Sequence, residues 1–219
     1  MLEKDLLTQV DSKVVERYSN RLRQFGLDPR TLGWDRRESQ FVRFGVASQA
    51  FSFAGRSVLD LGCGLADFHE HLYQDATSAP ASYTGVDINP DLVDVCRRRF
   101  PNASFDVRNI LHNPYSAERW DVVTLFGLLN LRFSEFSNET YARQFITEAF
   151  RLCNQAVIVD MLSNRTDAGY PREGFVYYYE PAEMLDFAFS LTPHVTLRHD
   201  YRSIPQREFM LVLRREPCA

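Results

Sequence analysis

Residues 57–68 read SVLDLGCGLADF. A short apolar run ends at Asp60, glycines follow at Gly62 and Gly64, and the next residues can open a helix. In an open α/β sheet such a turn lies past the carboxyl end of its strand, where ligands sit. Glycines there remove side chains where a ligand must approach the backbone. The stretch therefore predicts the first βα unit of a parallel sheet and a binding loop above it.

Downstream, the pattern continues. "SYTGVDI" is a strand, and "NPDLVDVCRRRF" is a helix with Asn89 as N-cap and Pro90 in its first turn. "ASFDVRNI" and "WDVVTLFGLLN" each hold a strand, "NETYARQFITEAFRLC" is an amphipathic helix, and "QAVIVDML" is a strand. "PAEMLDFAFSL" is a helix opened by Pro181, and "HVTLRHDY" and "REFMLVLRR" read as a closing antiparallel pair. Strands alternating with helices in this way predict βαβ units. Upstream, apolar positions from Leu2 to Phe25 have helical spacing, and Gly26 and Pro29 stop that helix. A second helix covers "GWDRRESQFVRFGVASQAF", with Asp35 placed to cap it. The polar stretch 163–174, "SNRTDAGYPREG", reads as a flap over a site.

Composition narrows the class. The chain has 219 residues, 45% of them hydrophobic, and a formal net charge of −4. That describes a globular, ordered protein and argues against a nucleic-acid backbone as partner. Cys63, Cys96, Cys153 and Cys218 form no CxxC pair and no Cys/His ligand set, which fits a reducing compartment. The N-terminus has no apolar signal-peptide core, and no run approaches membrane-spanning length. The expectation is a cytoplasmic protein without membrane contact; the sequence does not set its oligomeric state. His69 and His71, two apart on a helix, point to different faces, and His112, His194 and His199 have no carboxylate at ligand spacing, so no metal is expected.

The loop does not suit a dinucleotide. Asp67 stands where the G-x-G-x-x-G/A fingerprint needs a small residue, and Asp60 and Asp67 bracket the glycines where a pyrophosphate wants no anion. No lysine follows as in a P-loop. A cationic, phosphate-free ligand suits the loop better, and S-adenosylmethionine carries a sulfonium and an ammonium. Asp87, at the end of the next strand, stands where an acidic residue takes both ribose hydroxyls.

In order and spacing, "VLDLGCGLADF", "YTGVDINP", "FDVRNIL" and "WDVVTLFG" resemble the motifs of class I S-adenosylmethionine-dependent methyltransferases. The resemblance covers roughly residues 55–215. It implies a Rossmann-like α/β fold with a seven-stranded, mostly parallel sheet in the order 3-2-1-4-5-7-6. Residues 1–54 would form an N-terminal helical cap and residues 55–219 the S-adenosylmethionine-binding domain. Asp60, Gly62 and Gly64 would hold the methionine moiety, Asp87 the ribose and Ile88 the adenine face. Asn109 and Ile110 fall at the adenine contacts, and Phe126 and Gly127 would line the floor near the sulfonium. Ala66 replaces a third glycine, and Asn109 stands where Asp is usual.

"LGWDRRESQFVRF", "FGLLN" and "YYYEP" resemble a group of little-characterised bacterial methyltransferases, which makes Trp34, Gln40 and Arg43 lid candidates. Arg43 could pair the methionine carboxylate. Asp160, ending the fifth strand, could orient an amine or act as base. Tyr177, Tyr178 and Tyr179 could hold a sulfonium by cation–π attraction, or pack the segment onto the core. The expected activity is methyl transfer to a small molecule. One rival is a cyclase acting on S-adenosylmethionine alone, in which the methionine amine attacks its own γ-carbon to give azetidine-2-carboxylate and methylthioadenosine. The other is a non-catalytic binding module, against which the intact Asp60, Gly62, Gly64 and Asp87 set counts. "LFGL" after the fourth strand, in place of an N/D-P-P-Y-like tetrapeptide, lowers the odds of base or amide N-methylation.

Overall fold

The structure, a computed structural model, describes residues 4–170, 172–202 and 207–217. Leu2, Pro171 and Cys218, which enter the sequence reading, lie outside these residues. The elements are α1 (Lys4–Phe25), a 3-10 turn (Pro29–Leu32), α2 (Arg37–Ala50), β1 (Ser57–Leu61), α3 (Asp67–Leu72), β2 (Ser82–Asp87), α4 (Pro90–Arg99) and β3 (Ser104–Val107). Then come β4 (Trp120–Leu125), α5 (Asn138–Leu152), β5 (Cys153–Leu162), α6 (Pro181–Phe189), β6 (Val195–Arg198) and β7 (Glu208–Arg214). One seven-stranded sheet runs β3-β2-β1-β4-β5-β7-β6, the order the resemblance implies. β1 to β5 are parallel, and β7 is antiparallel to both β5 and β6.

The central strands are apolar on both faces because helices cover both. Leu59, Val123 and Val157 face a core with α5, α6 and Leu7 of α1. Their neighbours Val58, Val122 and Ile158 face the opposite core with α2, α3 and α4. The N-terminal helices are thus divided between the two layers. α4 is capped by Asn89, whose side-chain oxygen accepts from Asp91 N at 2.9 Å and Leu92 N at 3.3 Å. α5 is capped by Ser137, which accepts from Thr140 N at 3.2 Å.

The cap expected of Asp35 is corrected. The 3-10 turn ends at Gly33 with φ +91°, Arg36 is extended and takes the N-cap position, and α2 begins at Arg37, one residue too late for Asp35 to cap. Asp35 instead lies 3.6 Å from Arg36. Among the described residues, no helix is long and apolar enough to cross a membrane.

β1, β4 and their crossover partners set the site. Chain connections leave β1 toward β2 on one side and enter β4 on the other, so a crevice opens above the carboxyl ends of β1 and β4. The loop after β1, the end of β2 and the loop after β4 all reach it.

Candidate functional site

The glycine loop turns sharply because both glycines are left-handed, Gly62 at φ +73° and Gly64 at φ +56°. A Cβ on Gly62 would lie 2.8 Å from Leu128 Cδ1, and one on Gly64 would lie 2.8 Å from Leu32 Cδ1. Ala66 shares the left-handed region at φ 59°, a conformation that costs an L-residue about 1 kcal/mol or more.

Asp60 is buried beneath the loop. Its two oxygens accept from Thr124 Oγ1 at 2.8 Å and from Tyr83 OH at 2.5 Å. Burial pushes its pKa up to about 7, helped by the nearby charges of Asp87 and Asp160 and opposed by those two hydrogen bonds. Asp87 clasps the loop from the next strand, accepting from Gly64 N at 3.1 Å and Asn89 N at 2.9 Å. Burial raises its pKa as well, against those backbone bonds.

One cavity collects these residues. Asp60, Gly62, Gly64, Asp87, Ile88, Asn109, Ile110, Phe126, Gly127 and Arg43 all line it, together with Trp34 and Gln40. Gln40 is 5% exposed, and its Oε1 has no partner in the structure. A buried amide oxygen without a partner is costly and marks a place for a donor. Tyr18 of α1 and Tyr141 and Phe145 of α5 also line the cavity, and sequence reasoning missed them. Their helical spacing marked only a core face; which end of the helix reaches the crevice is a tertiary fact.

Asn109 is already engaged. Its amide donates to both oxygens of Asp11 at 3.0 and 2.8 Å, and its oxygen accepts from Leu111 N at 2.9 Å. It ties α1 to the rim beside Ile110.

Arg43 is fully buried, with Nη1 2.7 Å from Asp160 Oδ2 and Nη2 bonded to Glu208. Its guanidinium carbon lies 3.7 Å from the Trp34 ring centroid. The guanidinium therefore bridges two carboxylates, its single charge offsetting one of them, so the pairing expected with a methionine carboxylate is replaced by pairing within the protein. The expectation for Asp160 is corrected with it. Its second oxygen accepts from Gly127 N at 2.6 Å, its side chain is inaccessible, and it does not line the cavity, so it positions the β4 loop and is not poised as a base.

The three tyrosines also stand elsewhere. The segment 176–179 runs extended between residues 129–132 and 162–164, bridging Leu131 to Val176 and Ser163 to Tyr179. Tyr177 OH bonds Glu139, Tyr178 OH accepts from Glu173 N at 3.2 Å, and Tyr179 OH donates to Leu129 O at 2.8 Å. None of them lines the cavity, which corrects the tyrosine-cage expectation. The rings that do face it include Trp34, Phe44, Phe68 and Phe126. Among the described residues, no group of three or more His, Cys, Asp or Glu side chains could hold a metal ion.

Residues 58–156 match a family described as a methyltransferase domain. A provisionally named methyltransferase of Mycobacterium tuberculosis is 29% identical over 153 residues, covering 66% of this chain and 86% of that protein. A fatty-acid O-methyltransferase of Mycolicibacterium smegmatis is 32% identical over 94 residues, only 33% of its length. Among solved structures, the magnesium protoporphyrin IX methyltransferase of Synechocystis PCC 6803 with bound S-adenosylhomocysteine aligns over 92% of this chain and 98% of its own, with a TM-score of 0.63 and 15% identity. A [4+2]-cyclase, SpnF, aligns over 81% of each chain with a TM-score of 0.61 and 12% identity. These distant structures establish the fold.

Proposed function

We propose, from the premise that this chain has the class I S-adenosylmethionine-dependent methyltransferase fold and matches a methyltransferase domain over residues 58–156, that it transfers the methyl group of S-adenosylmethionine to a small molecule. The observation that carries the reading is the convergence of Asp60, the left-handed Gly62 and Gly64, and Asp87 on one cavity at the carboxyl ends of β1 and β2. The donor set fits the cofactor. Two carboxylates and an unpartnered Gln40 oxygen suit a ligand with an ammonium, a sulfonium and a ribose, whereas a pyrophosphate would meet two anions.

In this reading Asp60 and Gln40 hold the methionine ammonium, Asp87 takes the ribose hydroxyls, and Ile88 and Ile110 sandwich the adenine. Phe126 and Gly127 form the floor beneath the sulfur. S-adenosylmethionine supplies the electrophilic methyl carbon. The chain's own residues hold the nucleophile in line with it and exclude water, so proximity and alignment carry most of the rate. Residues 1–54 serve as the lid, because Tyr18, Leu32, Trp34 and Gln40 all come from that segment.

The Tyr177, Tyr178 and Tyr179 hydroxyls are engaged away from the cavity, so that run gives the cyclase alternative no sulfonium cage. Incubation with S-adenosylmethionine, first alone and then with candidate acceptors, followed by mass spectrometry, tests the proposal. S-adenosylhomocysteine formed only with an acceptor supports it; methylthioadenosine together with azetidine-2-carboxylate, formed without an acceptor and above an enzyme-free control, overturns it in favour of cyclisation.

A further inference from the structure

A second cavity adjoins the first. The two share Tyr18, Leu32, Trp34, Gly127 and Leu131, so they meet beside the loop after β4. The second chamber is walled by α1 on one side and by Tyr170, Glu173, Phe175 and Val176 on the other. Its lining is mixed: Leu162, Val176 and Trp34 give it an apolar patch, beside the charged Arg17, Arg21, Asp35 and Glu173.

Two arginines of α1 also face this chamber, and they differ. Arg21 is committed: its Nε donates to Thr31 O at 3.1 Å and its Nη2 to Arg30 O. Arg17 makes no hydrogen bond or ion pair with any described residue, and its guanidinium rests on the Phe175 ring at 5.2 Å from the centroid. The chamber's acids leave it unpaired, Asp35 lying 3.6 Å from Arg36 and Glu173 carrying no ion pair among the described residues. A guanidinium held on a ring keeps its in-plane N–H donors free, which is the geometry that grips a carboxylate with two parallel bonds.

Resting on the methyltransferase reading, we propose that this chamber is the acceptor pocket and that it takes a small carboxylate-bearing molecule. The anionic group sits on Arg17, the apolar body lies against Leu162, Val176 and Trp34, and the reacting end points past Gly127 toward the first cavity. Arg17 is then a specificity residue, selecting acceptors by charge at the end remote from the chemistry.

The test compares three acids, benzoate, hexanoate and indole-3-acetate, each with its neutral primary amide. Binding is measured by ligand-observed NMR on the full chain, with and without S-adenosylhomocysteine. At least one acid binds the wild type about tenfold more tightly than its amide, as a charge-assisted bidentate pair requires. Arg17→Gln abolishes that preference, Arg17→Lys retains part of it, and Glu173→Gln strengthens acid binding by removing a repulsive charge. Failure of every acid to bind the wild type, acids and amides binding alike, or an unchanged preference in Arg17→Gln each overturns the proposal. Should Arg17→Gln misfold by circular dichroism, the wild-type acid–amide comparison and Glu173→Gln still decide. Acid selectivity without S-adenosylhomocysteine binding would defeat the methyltransferase reading and leave the anion site standing; the converse would defeat only the anion site.

Discussion

Asp60 combines two roles that pull against each other. Its carboxyl is buried, and its pKa is pushed up to about 7, against a usual value near 3.8. The folded, ligand-free protein therefore binds this proton more tightly than the unfolded chain does. Its contribution to stability is fully present below about pH 4 and declines as pH rises toward 7. A cationic ligand wants the ionised form, so cofactor affinity runs the other way. S-adenosylhomocysteine, which keeps the ammonium, is expected to bind about tenfold more weakly at pH 6 than at pH 8, with proton release visible as buffer-dependent enthalpy in calorimetry. Asp60→Asn should flatten that pH dependence, weaken binding and raise the melting temperature at pH 8. A pH-independent affinity in the wild type would show that Asp60 does not meet the ammonium. At the neighbouring position, Asp87→Ala should cost roughly 2–4 kcal/mol of cofactor affinity, since two charge-assisted bonds are lost. Titration with unchanged affinity would remove the ribose assignment. Gly64→Val puts a branched side chain at φ +56° against Leu32, so it should abolish binding in a chain that still shows native circular dichroism.

The polar tie of helix α2 into the buried core is the Arg43 guanidinium, beside the apolar packing of Phe44, Val46 and Ala47. Arg43 joins it to Asp160 on β5 and Glu208 on β7, and the Trp34 ring covers the junction. Arg43→Met keeps the volume but strips the cation from two buried carboxylates, a loss of about 3–5 kcal/mol. The Arg43→Met/Asp160→Asn/Glu208→Gln triple variant should recover much of that stability, and the non-additivity in thermal melts measures the coupling. Additive effects would mean that the triad does not act as a unit. The junction also shows where sequence reading stops. The motifs on β1, β2, β3 and β4 were legible because each residue's role follows from its place at a strand end. Arg43 and Asp160 are 117 positions apart, and nothing in either neighbourhood announces the pairing. The tyrosine run misled for a related reason. The Tyr177 and Tyr179 rings lie 4.8 Å apart, as alternate residues of an extended segment must, but the segment's location depends on a bridge to Ser163 that no local pattern encodes.

Across the whole molecule, α1 ties the cavity rim together. It reaches α4 through Asn89 Nδ2 on Val15 O at 3.0 Å and Ser19 Oγ on Asp91 at 2.6 Å, and it reaches the β4 loop through the Lys13–Glu135 ion pair. If residues 1–54 form the lid, S-adenosylhomocysteine should slow amide exchange throughout α1 as well as in residues 60–64 and 126–131. Protection confined to the strand-end loops, read by mass spectrometry, would leave the helix a fixed wall. The sheet order carries a further consequence, for synthesis. β6 pairs only with β7 among the described strands, and β7 fills the gap beside β5. While a ribosome makes the chain, β1 to β5 can assemble early, but the free edge of β5 over Ala156–Leu162 stays bare until the residues of β7 emerge. At roughly 5–20 residues per second that exposure lasts on the order of seconds. An apolar, unpaired edge open for that long is the place where nascent chains would adhere to one another, and where a holding chaperone would be expected to act.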